Sequence, residues 1–195
     1  EQIVRYAHRL GLGEKTGIDL KYEAKGIIPS PQLKNIMQFK KWYSGDTANM
    51  SIGQGEVLVT PLQMARMVSV LANGGTLVLP HFIKAIGNKR FNLDRQKTGI
   101  LSNKVVSDIS AALKEVVDHP EGSAPAAKIE GLNIFGKTGT TQIAGNKSHG
   151  WFVGYVGVHE PKYAFCIFLE HGGSSHYACV LARQIFEQLM QEGLL

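Results

Sequence analysis

Apolar residues recur at helical spacing in four separate stretches of the chain, which predicts four amphipathic helices. The first lies at the N-terminus and ends near Gly11, since glycine often follows a helix. The second begins at Thr60-Pro61-Leu62-Gln63, which combines an N-cap, a proline at the first helical position and a capping box. The third runs from Ser102 to His119-Pro120, and the fourth covers about 176–190.

Three short apolar runs later in the chain predict β-strands, at 133–138, 151–158 and 163–170. The turn between the second and third runs is short enough for an antiparallel hairpin. Two shorter runs, 76–79 and 82–86, predict strands or extended segments. Helices followed by three strands and a last helix favour an α+β fold, with an antiparallel sheet flanked by helices.

The segment 14–59 has little periodicity and is rich in glycine, proline, lysine and serine, with Pro29 and Pro31 around Ser30. We expect a long irregular connection there, which compact domains seldom keep without a function. The 195 residues suit one domain or a large piece of one. Because the chain starts inside a helical pattern, we expect 1–195 to be part of one domain, with three strands and the last helix in 133–195.

The composition favours a globular domain and argues against several other classes of protein. Hydrophobic residues make up 44% and charged residues 19%, which is enough apolar material for a core and excludes global disorder. No apolar run approaches the ~18–20 residues of a membrane span. The net charge of +5 favours anionic partners. However, the basic residues are scattered and lack interleaved aromatic residues, so nucleic-acid binding is not expected.

The strongest chemical signal stands at the end of the first predicted strand, in Phe135-Gly136-Lys137-Thr138-Gly139-Thr140-Thr141. Lys137 supplies a cation, while Thr138 and Thr140 supply hydroxyl donors for a carboxylate. Gly139 allows a ligand to lie close to the backbone. The string by itself leaves open a second interpretation, a strand that ends in a polar turn and binds nothing.

Lys-Thr-Gly at 137–139 is one of three signatures of penicillin-binding proteins and class A β-lactamases. Further blocks resemble class B penicillin-binding proteins: Gly11-Leu12-Gly13 with Thr16-Gly17-Ile18-Asp19-Leu20, Trp42-Tyr43-Ser44-Gly45-Asp46-Thr47, Ser51-Ile52-Gly53-Gln54-Gly55, and Thr60-Pro61-Leu62-Gln63-Met64-Ala65. From Tyr6 to the last helix, the chain resembles the C-terminal part of the transpeptidase domain of class B penicillin-binding proteins of the penicillin-binding protein 2 type. These are peptidoglycan D,D-transpeptidases.

The resemblance implies a transpeptidase fold like that of penicillin-binding proteins and serine β-lactamases, incomplete at its N-terminal side. It implies that Lys137 is catalytic, lying beside the nucleophile and recruiting the peptide carboxylate. Thr138, Gly139 and Thr140 would bind substrate, and the Thr140 N–H would be one of two oxyanion donors. It implies no cofactor and no metal, and the His171-x4-His176-x2-Cys179 pattern matches no common zinc spacing.

The other two signatures, Ser-x-x-Lys and Ser-x-Asn, are absent from the sequence. Ser30 and Ser110 are each followed by a lysine at four positions instead of three. In the family, both signatures lie upstream of the matching blocks. We therefore expect the nucleophile and general base to lie outside this chain and the chain alone to be inactive. A non-catalytic ligand-binding or interaction module is the alternative.

The resemblance also implies partners and a location. The partners are the peptidoglycan stem peptide, β-lactam antibiotics and proteins of the cell-elongation machinery. The location is the periplasmic face of the bacterial inner membrane. We further expect an open sheet edge, with exposed strand residues such as Phe165 or Phe168, to favour self-association.

Overall fold

The computed structural model describes residues 1–90 and 97–195. The helices are α1 (Gln2–Arg9), α2 (Pro31–Gln38), α3 (Ser44–Ser51), α4 (Pro61–Ala72), α5 (Asn103–Asp118) and α6 (Ser175–Gln191), with a 3₁₀ turn at Pro125–Ala127. The strands are β1 (Ala85–Ile86), β2 (Lys89–Arg90), β3 (Asn133–Thr141), β4 (His149–Gly157) and β5 (Tyr163–Leu169). None of these helices is both long and apolar enough to cross a membrane.

The main sheet contains β3, β4 and β5 in that order, and neighbouring strands are antiparallel. Thr138 of β3 lies opposite Phe152, and Thr140 lies opposite Gly150. The hairpin after β4 closes with a hydrogen bond from the Lys162 N–H to the Val156 carbonyl, with an N···O distance of 2.8 Å. β1 and β2 form a separate two-stranded ribbon. The predicted α+β class, with helices around an antiparallel sheet, is confirmed.

The main core lies between the sheet and α6. Phe165 packs between Phe152 and Phe186, with ring centroids 5.2 and 5.0 Å away. Ala178 and Ala182 of α6 are fully buried in the same cluster. The expectation that Phe165 is exposed is therefore wrong, because α6 covers its face of the sheet.

The predicted start of α4 is confirmed in detail. The Thr60 hydroxyl accepts a hydrogen bond from the Gln63 N–H, and the Gln63 side chain accepts one from the Thr60 N–H. Gln63 is fully buried, and its amide also donates to the carbonyls of Glu14 and Lys25. The Gln63 side chain therefore binds the first part of the segment 14–59, at Glu14 and Lys25, to the start of α4.

The segment 14–59 differs from the predicted irregular connection because it contains α2 and α3. At the start of α2, the Ser30 hydroxyl accepts a hydrogen bond from the Leu33 N–H, and Pro31 occupies the first helical position. The segment is also tied to the rest of the domain through Asp19, which accepts hydrogen bonds from the N–H groups of Phe82 and Ile83.

Candidate functional site

The Lys-Thr-Gly-Thr string lies on β3, an edge strand of the sheet that the described residues form. The Val156 carbonyl of β4 accepts a hydrogen bond from Lys162, on the side of β5. Backbone groups alternate between the two sides of an antiparallel strand, so even-numbered residues of β4 face β5 and odd-numbered residues of β4 face β3. The odd-numbered residues of β4 lie opposite odd-numbered residues of β3, and these two sets form the hydrogen bonds between the strands. The even-numbered Thr138 and Thr140 therefore direct both their N–H and their C=O groups to the unpaired edge of β3.

Two side chains donate hydrogen bonds to the carbonyls of Thr138 and Thr140, which is consistent with these carbonyls pointing to the unpaired edge. The Gln54 side-chain amide donates to the Thr140 carbonyl at 3.0 Å. The Lys137 ammonium donates to the Thr138 carbonyl at 2.9 Å, and Lys137 is exposed. An ammonium group and the backbone of two alternate residues therefore meet along one edge of the sheet.

The two threonine hydroxyls lie on the opposite face of the sheet from the Lys137 side chain, because neighbouring residues on a strand alternate. The hydroxyl oxygens of Thr138 and Ser123 are 2.7 Å apart. The Thr140 hydroxyl donates to the hydroxyl of Ser175, the first residue of α6, at 3.3 Å. A ligand that contacts the lysine and both threonines has to straddle the edge of β3.

The two glycines of β3 have different surroundings. A Cβ atom at Gly139 would lie 3.4 Å from the Cβ of Trp151, an ordinary contact distance. A Cβ atom at Gly136 would lie 2.5 Å from the ring of Phe152, which is fully buried. Packing within the sheet thus requires a glycine at 136 and not at 139.

Two histidines border the same end of the sheet. His149 lies opposite Thr141 in the strand register, and its Nδ1 atom accepts a hydrogen bond from the His171 N–H at 2.9 Å. Cys179, by contrast, is fully buried in the core, where burial raises the pKa of its thiol to about 11. Within residues 1–90 and 97–195, no group of three or more His, Cys, Asp or Glu side chains is placed to hold a metal ion.

Gln54, Ser123 and Ser175 were not among the predicted site residues. Gln54 belongs to the block Ser51-Ile52-Gly53-Gln54-Gly55, which resembles class B penicillin-binding proteins, but nothing in that block indicates which strand Gln54 contacts. Ser123 lies in a polar segment that resembles any surface loop, and Ser175 is the first residue of a helix. Only the folded chain brings these three residues to β3.

Residues 1–191 match the family model described as the penicillin-binding protein transpeptidase domain. The chain belongs to this transpeptidase family. The family and the fold predicted from the Lys-Thr-Gly string and the other blocks are thereby confirmed. The roles of Lys137, Thr138, Gly139 and Thr140 stay predictions.

Individual transpeptidases agree with this assignment. The chain is 31% identical over 205 residues to the peptidoglycan D,D-transpeptidase MrdA of Acinetobacter baumannii, covering 96% of the chain and 30% of that relative. It is also similar to the penicillin-binding protein PBP2 of Helicobacter pylori, solved in complex with MreC, with a TM-score of 0.85, 32% identity and coverage of 98% of the chain and 36% of that protein. For PBP3 of Mycobacterium tuberculosis complexed with aztreonam, the TM-score is 0.80, the identity 27% and the coverage 97% and 45%. The chain thus spans about a third of its curated relatives.

Proposed function

We propose that this chain is the carboxylate-binding part of a peptidoglycan D,D-transpeptidase. The observation that carries the proposal is the arrangement at the edge of β3: the Thr140 N–H points to the unpaired edge, with Lys137 on one face of the sheet and the two threonine hydroxyls on the other. Each of these groups can donate a hydrogen bond to an anion. They lie along the edge of β3 that an extended peptide would approach. The sequence similarity to MrdA supports the same activity.

In this reaction, the hydroxyl of a serine from outside the 195 residues attacks the carbonyl of the last peptide bond of the donor stem peptide, which breaks this bond, forms an ester with the serine and releases the C-terminal residue as a protonated amine. An amine of a second stem peptide then attacks the ester, which forms the cross-linking amide bond and releases the serine hydroxyl. The Thr138 hydroxyl donates to the carboxylate of the donor peptide, and the Thr140 hydroxyl turns its proton from Ser175 to the same carboxylate when the peptide binds. Lys137 supplies the positive charge that attracts this carboxylate. The Thr140 N–H stabilises the negative charge that develops on the carbonyl oxygen under attack. Gly139 keeps the strand accessible between these groups.

The same donors account for the β-lactam inhibitors that we propose, and a similar structure supports the proposed partner protein. A β-lactam presents a carboxylate beside a reactive carbonyl, and the similar PBP3 of Mycobacterium tuberculosis was solved with aztreonam. The Helicobacter pylori relative was solved with MreC, which supports a partner from the cell-elongation machinery.

Since the substrate is the cell wall, we place the whole protein at the periplasmic face of the inner membrane. The non-catalytic alternative is not favoured, because the relatives across nearly the whole chain are transpeptidases.

Reaction of the full-length protein with penicillin tests the proposal. Intact-mass spectrometry is expected to show one covalent adduct, and peptide mapping is expected to place it on a serine outside these 195 residues. A peptide with a free C-terminal carboxylate should slow adduct formation, whereas its C-terminal amide should not. A full-length protein that forms no adduct would contradict the proposed function.

A further inference from the structure

Gln54 joins a loop at the end of α3 to the edge of β3. Its side-chain amide donates to the Thr140 carbonyl at 3.0 Å, across 86 positions of sequence. The N–H and C=O groups of one residue in an antiparallel strand point to the same edge. A contact that fixes the Thr140 carbonyl therefore also fixes the direction of the Thr140 N–H.

The loop that carries Gln54, residues 52–57, is anchored at both ends. At its start, the Gln54 N–H donates to the Asn49 carbonyl at 2.9 Å. At its end, Leu58 pairs with Ile27 through two backbone hydrogen bonds of 2.7 and 2.9 Å. Gly53 and Gly55 adopt φ angles of +71° and +74° on either side of Gln54, a conformation that other residues rarely take.

A cluster of charged side chains around the buried Lys34 anchors the loop further. The Lys34 ammonium, whose side chain is only 8% exposed, lies 2.7 Å from Asp46 and 3.4 Å from Glu56 of the loop. The hydrogen bond from Lys34 lowers the pKa of Asp46, and the Tyr43 N–H donates to the same carboxylate. Lys34 belongs to α2 and Asp46 to α3, so two helices hold the loop from which the Gln54 amide projects.

We infer that Gln54 is a positioning residue that aligns the oxyanion donor Thr140, an inference that rests on the proposed function. Thr140 lies one residue before the end of β3, and its backbone groups face the unpaired edge of the sheet. The end of an edge strand opens more easily than its middle. Oxyanion stabilisation depends on a donor held in place before charge develops, so a contact that stops this opening acts on the acylation step.

Pre-steady-state acylation of the full-length protein by a fluorescent penicillin tests this role, with the dissociation constant and the acylation rate constant measured separately. Gln54→Met keeps the size of the side chain but removes the donor, whereas Gln54→Lys keeps a donor at similar reach. Gln184→Ala, on the exposed face of α6, is the matched control. We expect Gln54→Met to lower the acylation rate constant about three- to tenfold, the effect of one lost hydrogen bond. Its dissociation constant and melting temperature should stay unchanged, and Gln54→Lys should recover most of the rate.

The outcomes separate the inference from the proposed function. An acylation rate constant that is unchanged in Gln54→Met, in a wild-type protein that does react, overturns the role of Gln54 alone. The role of Gln54 is also overturned if Gln54→Met and Gln54→Lys lose the acylation rate equally and both have a lower melting temperature. This result would indicate that Gln54 only stabilises the fold. A wild-type protein that fails to react with penicillin overturns the proposed function and, with it, the inference.

Discussion

The hydroxyl oxygens of Ser123 and Thr138 lie 2.7 Å apart, within hydrogen-bond distance, and join the segment after α5 to the candidate site on β3. When Ser123 donates in this pair, the Thr138 proton is available for a ligand. Thr140 has a serine neighbour as well, Ser175 of α6. Both threonines that we propose to bind the carboxylate are thus oriented by a residue from another element.

Ser123→Ala is expected to weaken binding of a β-lactam to the full-length protein about two- to tenfold, because the Thr138 hydroxyl loses its fixed partner. Ser123→Thr should retain wild-type binding. Ser107→Ala, an exposed serine of α5, serves as the control and should leave binding unchanged. Equal dissociation constants for the wild type and Ser123→Ala would show that Ser123 does not orient the site.

Lys137→Ala is expected to abolish acylation of the full-length protein by penicillin while the fold is retained. Lys137 is exposed on β3, so its loss leaves no cavity. A charge-assisted hydrogen bond to a carboxylate contributes about 1.5–3 kcal/mol, and loss of polarisation at the nucleophile adds to this. Lys104→Ala, in an exposed ion pair on α5, is the control. Labelling of Lys137→Ala at a rate near that of the wild type would refute the assignment.

The glycines of β3 should respond in opposite ways. Gly139→Val is expected to lower the rate of acylation about tenfold or more and to change the melting temperature less than Gly136→Ala does, because a branched side chain obstructs the ligand, whereas a Cβ atom at 139 makes only an ordinary contact with Trp151. Gly136→Ala should instead destabilise the protein by about 1–3 kcal/mol through its clash with Phe152. Thermal unfolding and penicillin labelling of both variants decide the matter. Gly139→Val with normal labelling would remove the ligand-binding role of this glycine.

The 195-residue chain by itself is expected to form no covalent adduct with a β-lactam. The sequence lacks both Ser-x-x-Lys and Ser-x-Asn. Ser123 and Ser175 are close to the site, but Thr138 and Thr140 are their hydroxyl neighbours there, and neither threonine is a base. Intact-mass spectrometry after incubation with excess penicillin checks this. An adduct of the mass of the drug on any side chain would contradict it, and mapping would identify the nucleophile.

Glu23 gives the fold a stability that depends on pH. Burial opposes ionisation of its carboxyl group, but hydrogen bonds from Thr16 and Gly17 outweigh burial and lower the pKa. The stabilisation is complete above the ordinary glutamate pKa of about 4.3 and is lost as the pH falls through the lower pKa of the folded state. Urea unfolding between about pH 6 and about pH 3 should show a smaller loss of stability in Glu23→Gln than in the wild type. Identical losses in the two proteins would contradict this.

The sequence predicts what depends on neighbours along the chain. Thr60-Pro61 marks the start of α4, and Ser30-Pro31 is the same signal at the start of α2, although the two prolines around Ser30 suggested a loop. β3 continues past its predicted end at Thr138 to Thr141, since its last residues pair with the start of β4. The contact between Gln54 and Thr140 could not be predicted, because it depends on how distant segments pack and not on any local pattern.

The unpaired edge of β3 has a consequence for the oligomeric behaviour of the protein. We expect the N–H groups of Thr138 and Thr140 on this edge to recognise extended backbone in general, whether this belongs to a stem peptide or to a strand of a second molecule. Ligand and neighbouring chain therefore compete for one surface. If the protein self-associates as predicted, a bound peptide should prevent assembly through this edge, and assembled molecules should be unable to bind the peptide.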